Sequence, residues 1–220
     1  NTLSLTESTR ISNLGNAVLC LNGTYTTNGQ TTLVTGDGSV NFNGQITGAG
    51  ALIKEGTGIT TINADNTGWT GPVTISGGVV AITNNNALGA TAAGQTTTVN
   101  PGGALFLRDG TAAAPRAIAE PLTLSGFGVS TRGGAPSGAL YADGGVSTVS
   151  GAVTLAANTA IGGRVGSTLT LSGGVGQSGG TRSLDKVGDG LLVLTGASSY
   201  TGDTIITGGV LRGTTGSISG

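Results

Sequence analysis

Residues 52–80 read LIKEGTGITTINADNTGWTGPVTISGGVV, and residues 184–211 read LDKVGDGLLVLTGASSYTGDTIITGGVL. Leu52, Lys54, Gly56 and Gly58 match Leu184, Lys186, Gly188 and Gly190 at an offset of 132. Trp69, Gly71, Ile75 and Gly77-Gly78-Val79 match Tyr200, Gly202, Ile206 and Gly208-Gly209-Val210 at an offset of 131. The slip falls between the segments Asn63–Gly68 and Thr195–Ser199, of which the first is longer by one residue. A one-residue shift inside a strand would turn its apolar set to the wrong face, so insertions settle in turns. The glycines therefore bound short strands, and the doubled phrase marks a repeat architecture.

A propeller needs evenly spaced four-strand units, and a closed barrel needs no internal copy. A parallel β-helix lays each strand over the previous one, so a short strand can recur after any whole number of coils. At about 20–25 residues per coil, the copies stand roughly six coils apart and the chain makes roughly ten. The same logic expects Ile75 and Ile206 to point inward at equivalent levels of their coils.

Outside the copies, apolar residues alternate with Thr, Ser and Asn, as in Leu3-Ser4-Leu5, Val40-Asn41-Phe42, Leu122-Thr123-Leu124 and Leu169-Thr170-Leu171. Period two puts every second side chain on one face of a strand. No stretch keeps a helical period over ten residues, and Ala112-Ala113-Ala114 runs into Pro115. The chain is therefore all-β, with tight turns at its 44 glycines. The stretch Arg108–Ala139 differs: it holds three of the five prolines and one firm strand, Leu122-Thr123-Leu124. One or two loops are expected to leave the rod there. Loops are free to vary where stacked strands are not, and this one carries Arg108, Arg116 and Arg132, which makes it the expected ligand-contact segment.

Composition removes several functions. Charged residues are 9% of the chain and net charge is −1, so no basic footprint for nucleic acid exists. No run of about 18 apolar residues is present to form a membrane-spanning helix. The motif Gly176-Gln177-Ser178-Gly179-Gly180 has the spacing of a nucleophile elbow, but the chain has no histidine to complete a Ser-His-Asp triad; a turn between coils explains it. Asp185 and Asp189 flank Lys186 and read as solvated turn residues, since the first copy has Ile53 and Thr57 there. Gly-Asp-Gly at 36–38 and 188–190 is too isolated to gather the several oxygens that calcium needs. No catalytic group, cofactor or metal site is expected. Cys20, in Val18-Leu19-Cys20-Leu21, is expected to be buried and inert. Lys54 and Lys186 are expected at coil corners, near turn carbonyls.

One family shares this order of residues. Gly48-Ala49-Gly50-Ala51-Leu52-Ile53-Lys54-Glu55-Gly56-Thr57-Gly58, then Trp69-Thr70-Gly71, Gly78-Val79 and Ala87-Leu88-Gly89, resembles the passenger-associated transport repeat of autotransporters. The second copy supplies Leu184, Lys186, Gly188, Gly190, Tyr200-Thr201-Gly202 and Gly209-Val210-Leu211. Trp69 stands where the family usually has Tyr. The resemblance implies a right-handed, single-stranded parallel β-helix over 1–220, a secreted or surface-exposed passenger of a Gram-negative bacterium, with repeats at 48–89 and 184–211 and a loop excursion near 108–139. It implies a non-catalytic rod for export and adhesion or display. The implied partners are a C-terminal outer-membrane β-barrel, expected to lie outside these residues, and a host-surface, glycan or self-association partner. A self-assembling module, or the stalk of an enzyme whose active domain lies elsewhere, is the alternative.

Overall fold

The structure is a computed structural model that describes residues 1–91, 95–108, 115–130 and 137–218. Every strand pair in it is parallel, and the chain winds through about nine turns of a three-sided β-solenoid. The first turn is β1 (Thr2–Ser4), β2 (Thr9–Ser12) and β3 (Val18–Leu21), one strand per side. The second is β4 (Thr24–Thr26), β5 (Thr32–Thr35) and β6 (Ser39–Phe42), and the third is β7 (Ile46–Thr47), β8 (Leu52–Lys54) and β9 (Ile59–Ile62). Among the described residues, two turns then carry strands on the second and third sides alone: β10 (Val73–Ile75) with β11 (Gly78–Ile82), and β12 (Thr97–Val99) with β13 (Gly103–Leu107). Three sides return with β14 (Arg116–Ile118), β15 (Leu122–Gly126) and β16 (Leu140–Ala142). Next come β17 (Val146–Val149) and the long β18 (Val153–Gly163), which covers two sides, then β19 (Thr168–Leu171), β20 (Val175–Gln177) and β21 (Leu184–Val187). The last strands are β22 (Leu191–Leu194), β23 (Thr204–Ile206) and β24 (Val210–Gly213).

Alternation builds the core. On the second side Leu52, Val73, Thr97, Leu122 and Val153 stack in register and all face the lumen. On the third, Val40, Thr60, Val80, Leu105 and Leu140 do the same. Turn size varies, from 19 residues between Leu191 and Val210 to 35 between Leu105 and Leu140. The turns stack too: Asn43 donates to Asn22 and Asn63 donates to Asn43, each at 2.7 Å. Where the first side lacks a strand, a side chain replaces the ladder. Buried Asn66 accepts from the Ile46 amide and donates to the Ala87 carbonyl, both at 2.7 Å.

The two copies do not sit a whole number of turns apart. β8, with Lys54, belongs to the second-side stack that runs through β10, β12, β15 and β18 to β20. β21, with Lys186, pairs with the far half of β18 on the third side. The second copy is thus five levels up and one side on, not six coils directly above. Each later element is displaced in the same way. Ile75 ends β10 on the second side and is fully buried, whereas Ile206 ends β23 on the third and is 56% exposed. Ile206 keeps the inward register, opposite Lys186, but no described strand stacks on β23 from the other side.

Locally the copies are alike. Lys54 and Lys186 sit at the turns that follow their strands and are each 1% exposed. Lys54 Nζ donates to the carbonyls of Glu55 (2.5 Å), Gly56 (3.0 Å) and, one turn on, Gly77 (3.3 Å). Lys186 Nζ donates to Val187 (2.9 Å), Gly188 (2.7 Å) and Gly208 (3.0 Å). An ammonium has three donors, so each lysine is satisfied by carbonyls alone and ties two successive turns together. The following glycines make room: Gly78 and Gly209 both have φ of +65°, and a Cβ there would stand 2.9 and 2.8 Å from the ammonium nitrogen. Burial draws Lys54 down to about 8 against the opposing pull of Glu55, and it lowers Lys186 likewise against Asp189. The aromatic of each copy is buried: Trp69 Nε1 donates to the Gly50 carbonyl at 2.8 Å, and the Tyr200 hydroxyl meets Thr204 Oγ1 at 2.7 Å.

Three expectations are corrected. Cys20 is exposed: Leu19 and Leu21 align with the lumen residues Val40 and Phe42, so the residue between them faces out, against Asn41. Asp185 is a strand residue of β21, half-buried, and desolvation raises its carboxyl. Within 108–139, β15 holds the expected strand Leu122-Thr123-Leu124, but β14 is a second rod strand there, and Ile118, Leu122 and Leu124 all enter the core. Their turn also buries Glu120, which accepts from Thr97 Oγ1 at 2.9 Å, while its Oε2 has no hydrogen-bond partner among the described residues. Burial pushes this carboxyl up to about 7.

Candidate functional groove

The outer surface of the third side departs from the polar pattern of a solvent-facing strand. In its outward columns Ile59, Val79 and Ala104 lie in register, and so do Ala81, Phe106 and Tyr141. The cause is visible in β11 and β13, Gly78-Val79-Val80-Ala81-Ile82 and Gly103-Ala104-Leu105-Phe106-Leu107, where alternation is lost. A strand that is apolar at every position has both faces covered. Here the lumen covers one face and a loop covers part of the other.

That loop follows β15. Residues 127–129 run alongside 137–138: the Ser137 amide donates to the Val129 carbonyl at 2.9 Å, and the Gly138 amide donates to the Phe127 carbonyl at 3.0 Å. Ser137 Oγ also accepts from the Val129 amide at 3.2 Å. Val129 packs on Val79, Ala81 and Ala104, joined by Ile59 and Phe106, in a small apolar cluster separate from the lumen. Between this wall and the strands lies an open groove of about 900 Å3. Its floor carries the Phe106 and Tyr141 rings, with centroids 4.8 Å apart and planes tilted by 36°. The outward neighbour of Tyr141 on the next turn is Gly162, where a Cβ would come within 3.0 Å of the Tyr141 ring.

Charge gathers at one end. Asp143 Oδ2 accepts from Arg108 Nε at 3.2 Å, and Asp143 Oδ1 stands 3.9 Å from Arg164 Nη1. The Arg164 side chain is 65% exposed. Burial and then Asp143 raise the Tyr141 phenol, with Asp189 adding to the rise and Arg164 opposing it. The hydroxyl therefore stays protonated and remains a donor as well as an acceptor.

Of the two expected ligand-contact arginines that lie among the described residues, Arg108 reaches the edge of this groove, through its ion pair with Asp143, and Arg116 does not. Arg116 begins β14 on another side and is nearly buried. It donates to the Arg108 carbonyl at 3.0 and 3.2 Å and to Asn85 Oδ1 at 3.2 Å, which makes it a structural tie. Arg132 lies outside the described residues. The wall does come from the expected excursion, through Gly128, Val129 and Ser130. The floor was not anticipated, although the unbroken apolar runs at 78–82 and 103–107 are its sequence signal.

Comparison with known proteins agrees with the doubled phrase. The passenger-associated-transport-repeat family matches residues 52–82 and 184–212. Over 217 residues the chain is 31% identical to a protein described as "Adhesin BmaC autotransporter", from Brucella suis biovar 1 (strain 1330). That similarity takes in 90% of this chain and 5% of the relative's length. No solved structure matches.

Proposed function

Because the chain is a segment of an autotransporter passenger with two passenger-associated transport repeats, we propose that it is a non-catalytic stem whose third-side groove makes adhesive contact. Its place is the surface of a Gram-negative cell or the medium outside it. The rod holds the groove away from the cell, and the parent chain ties it to an outer-membrane β-barrel. The observation that carries the adhesive role is the outward aromatic pair Phe106 and Tyr141, set between a loop wall and an Arg-Asp-Arg cluster. Apolar patches of this kind on a soluble surface mark interaction sites. The adhesin named among the relatives supports the same reading.

Beads coated with the chain test it on cultured epithelial cells. Wild-type beads should adhere, and a Phe106→Ser/Tyr141→Ser chain should lose most of that adhesion while its β-type circular dichroism persists, since both side chains face outward. Undiminished adhesion by the double variant would remove the groove from the reading. Sedimentation separates adhesion from self-association: a dimer that the same substitutions dissociate would make the groove a contact between copies.

A further inference from the structure

We infer that the groove binds a neutral saccharide; this rests on the adhesive reading and names its ligand class. The floor and the end of the groove ask for different things. Phe106, Tyr141, Val79 and Val129 present apolar and aromatic surface, which favours a ligand with an apolar face. The end of the groove presents both signs of charge. The Arg164 side chain is largely exposed, and its guanidinium stands 3.9 Å from Asp143, which offers carboxylate oxygens. Arg108 and Arg164 are opposed by Asp143, and Asp189 adds negative charge near enough to act on Tyr141. A strongly anionic or cationic ligand would gain from one partner and lose to the other.

A pyranose ring meets both demands. Its C–H face stacks on an aromatic ring, and its hydroxyls donate to a carboxylate and accept from a guanidinium. The phenol of Tyr141 adds a group that does either. The volume of about 900 Å3 lies near the upper end of ligand sites, which suits several linked rings. An extended peptide is disfavoured. Peptides that add to sheets need a free strand edge, yet β9, β11, β13 and β16 are each hydrogen-bonded on both edges.

The test is titration of the isotope-labelled chain, followed by NMR, with cellohexaose, laminarihexaose, xylohexaose, chitohexaose and lacto-N-tetraose. The anionic arms are 3′-sialyllactose and a heparin tetrasaccharide. At least one neutral oligosaccharide should shift the Phe106 and Tyr141 ring signals saturably. Tyr141→Ala should weaken that binding at least about 10-fold, the scale of one lost stacking contact of about 1.4 kcal/mol or more. Tyr141→Phe, which keeps the ring, should stay within about 3-fold, and Arg10→Ala on the second side should change nothing. Binding by the anionic arms alone, binding by none, or full binding by Tyr141→Ala would overturn the inference. Bead adhesion distinguishes the two layers. If adhesion depends on Tyr141 but no neutral sugar binds, the saccharide is wrong and the adhesive groove stands. If a neutral sugar binds at Tyr141 but beads do not adhere, the saccharide stands and the adhesive role falls.

Discussion

Lys54 and Lys186 make the same three kinds of bond, to the next two carbonyls and to a glycine carbonyl one turn on, although they lie on different sides of the rod. Ile75 and Ile206 hold matching places in the same copies, yet one is sealed and the other is 56% exposed. The contrast separates two kinds of structure. The lysine turn is built from groups close together in the chain, Lys54 to Gly77 and Lys186 to Gly208, so it travels intact wherever the phrase is placed. Burial of the isoleucine comes from strands stacked above and below. Ile75 has β8 and β12 as neighbours through β10, whereas among the described strands of this segment β23 pairs with β21 alone.

The strongest way to break this comparison is to put a carboxylate at both isoleucines. Ile75→Asp should cost about 4–6 kcal/mol, from lost packing and an unpaired buried acid. Ile206→Asp, in this 220-residue segment where no described strand stacks on β23 from the other side, should cost under about 1 kcal/mol, as at other open positions. Urea midpoints measure both, and equal losses would mean that the stacking account is wrong. Next in size are Lys54→Met and Lys186→Met. Each strips three enclosed carbonyls of their donor, at about 3 kcal/mol, and the two losses should agree within about 1 kcal/mol because the motif is local.

Titration sharpens the same point, since the repeats and the rod between them respond with opposite sign. The lysines are lowered in the folded chain, Lys54 to about 8 from 10.5. The unfolded chain then holds more protons between those values, and stability rises with pH across that window. Lys54→Met should flatten the rise. Glu120, in the turn between β14 and β15, is raised to about 7 from 4.5. Its contribution is fully present below about 4.5 and is lost as pH climbs through 7, so wild type should weaken there relative to Glu120→Gln. Denaturation curves from pH 4 to 10.5 read both. The smallest difference lies in the aromatics. Trp69→Phe removes the donor to Gly50 and leaves a void, at about 2 kcal/mol. Tyr200→Phe removes one hydroxyl from Thr204, at about 1 kcal/mol. Thermal melts should rank them in that order.

Much of the fold is legible in the residue order. Alternation at Val40-Asn41-Phe42 and its like announces strands, and the doubled phrase announces stacking. What escapes is geometry that accumulates along the chain. Turn sizes between 19 and 35 residues cannot be summed from composition, so an even coil length wrongly sets the copies whole coils apart. Cys20 reads as buried if its apolar neighbours are weighed, yet alternation around Leu19 and Leu21 already turns it outward. Arg116 reads as a loop residue because Pro115 precedes it, but its partner Asn85 is a full turn away.

The amino-acid order alone determined the strands, the glycine-bounded turns and the lysine that closes them, because period-two patterning and backbone carbonyls one or two residues away are local matters. Tertiary structure alone decided which side each copy occupies, and that Ile59, Val79, Phe106 and Tyr141 meet beneath Val129 in one groove. Those residues come from four turns of the rod and a returning loop, and only the lengths of all the intervening turns, taken together, bring them into register.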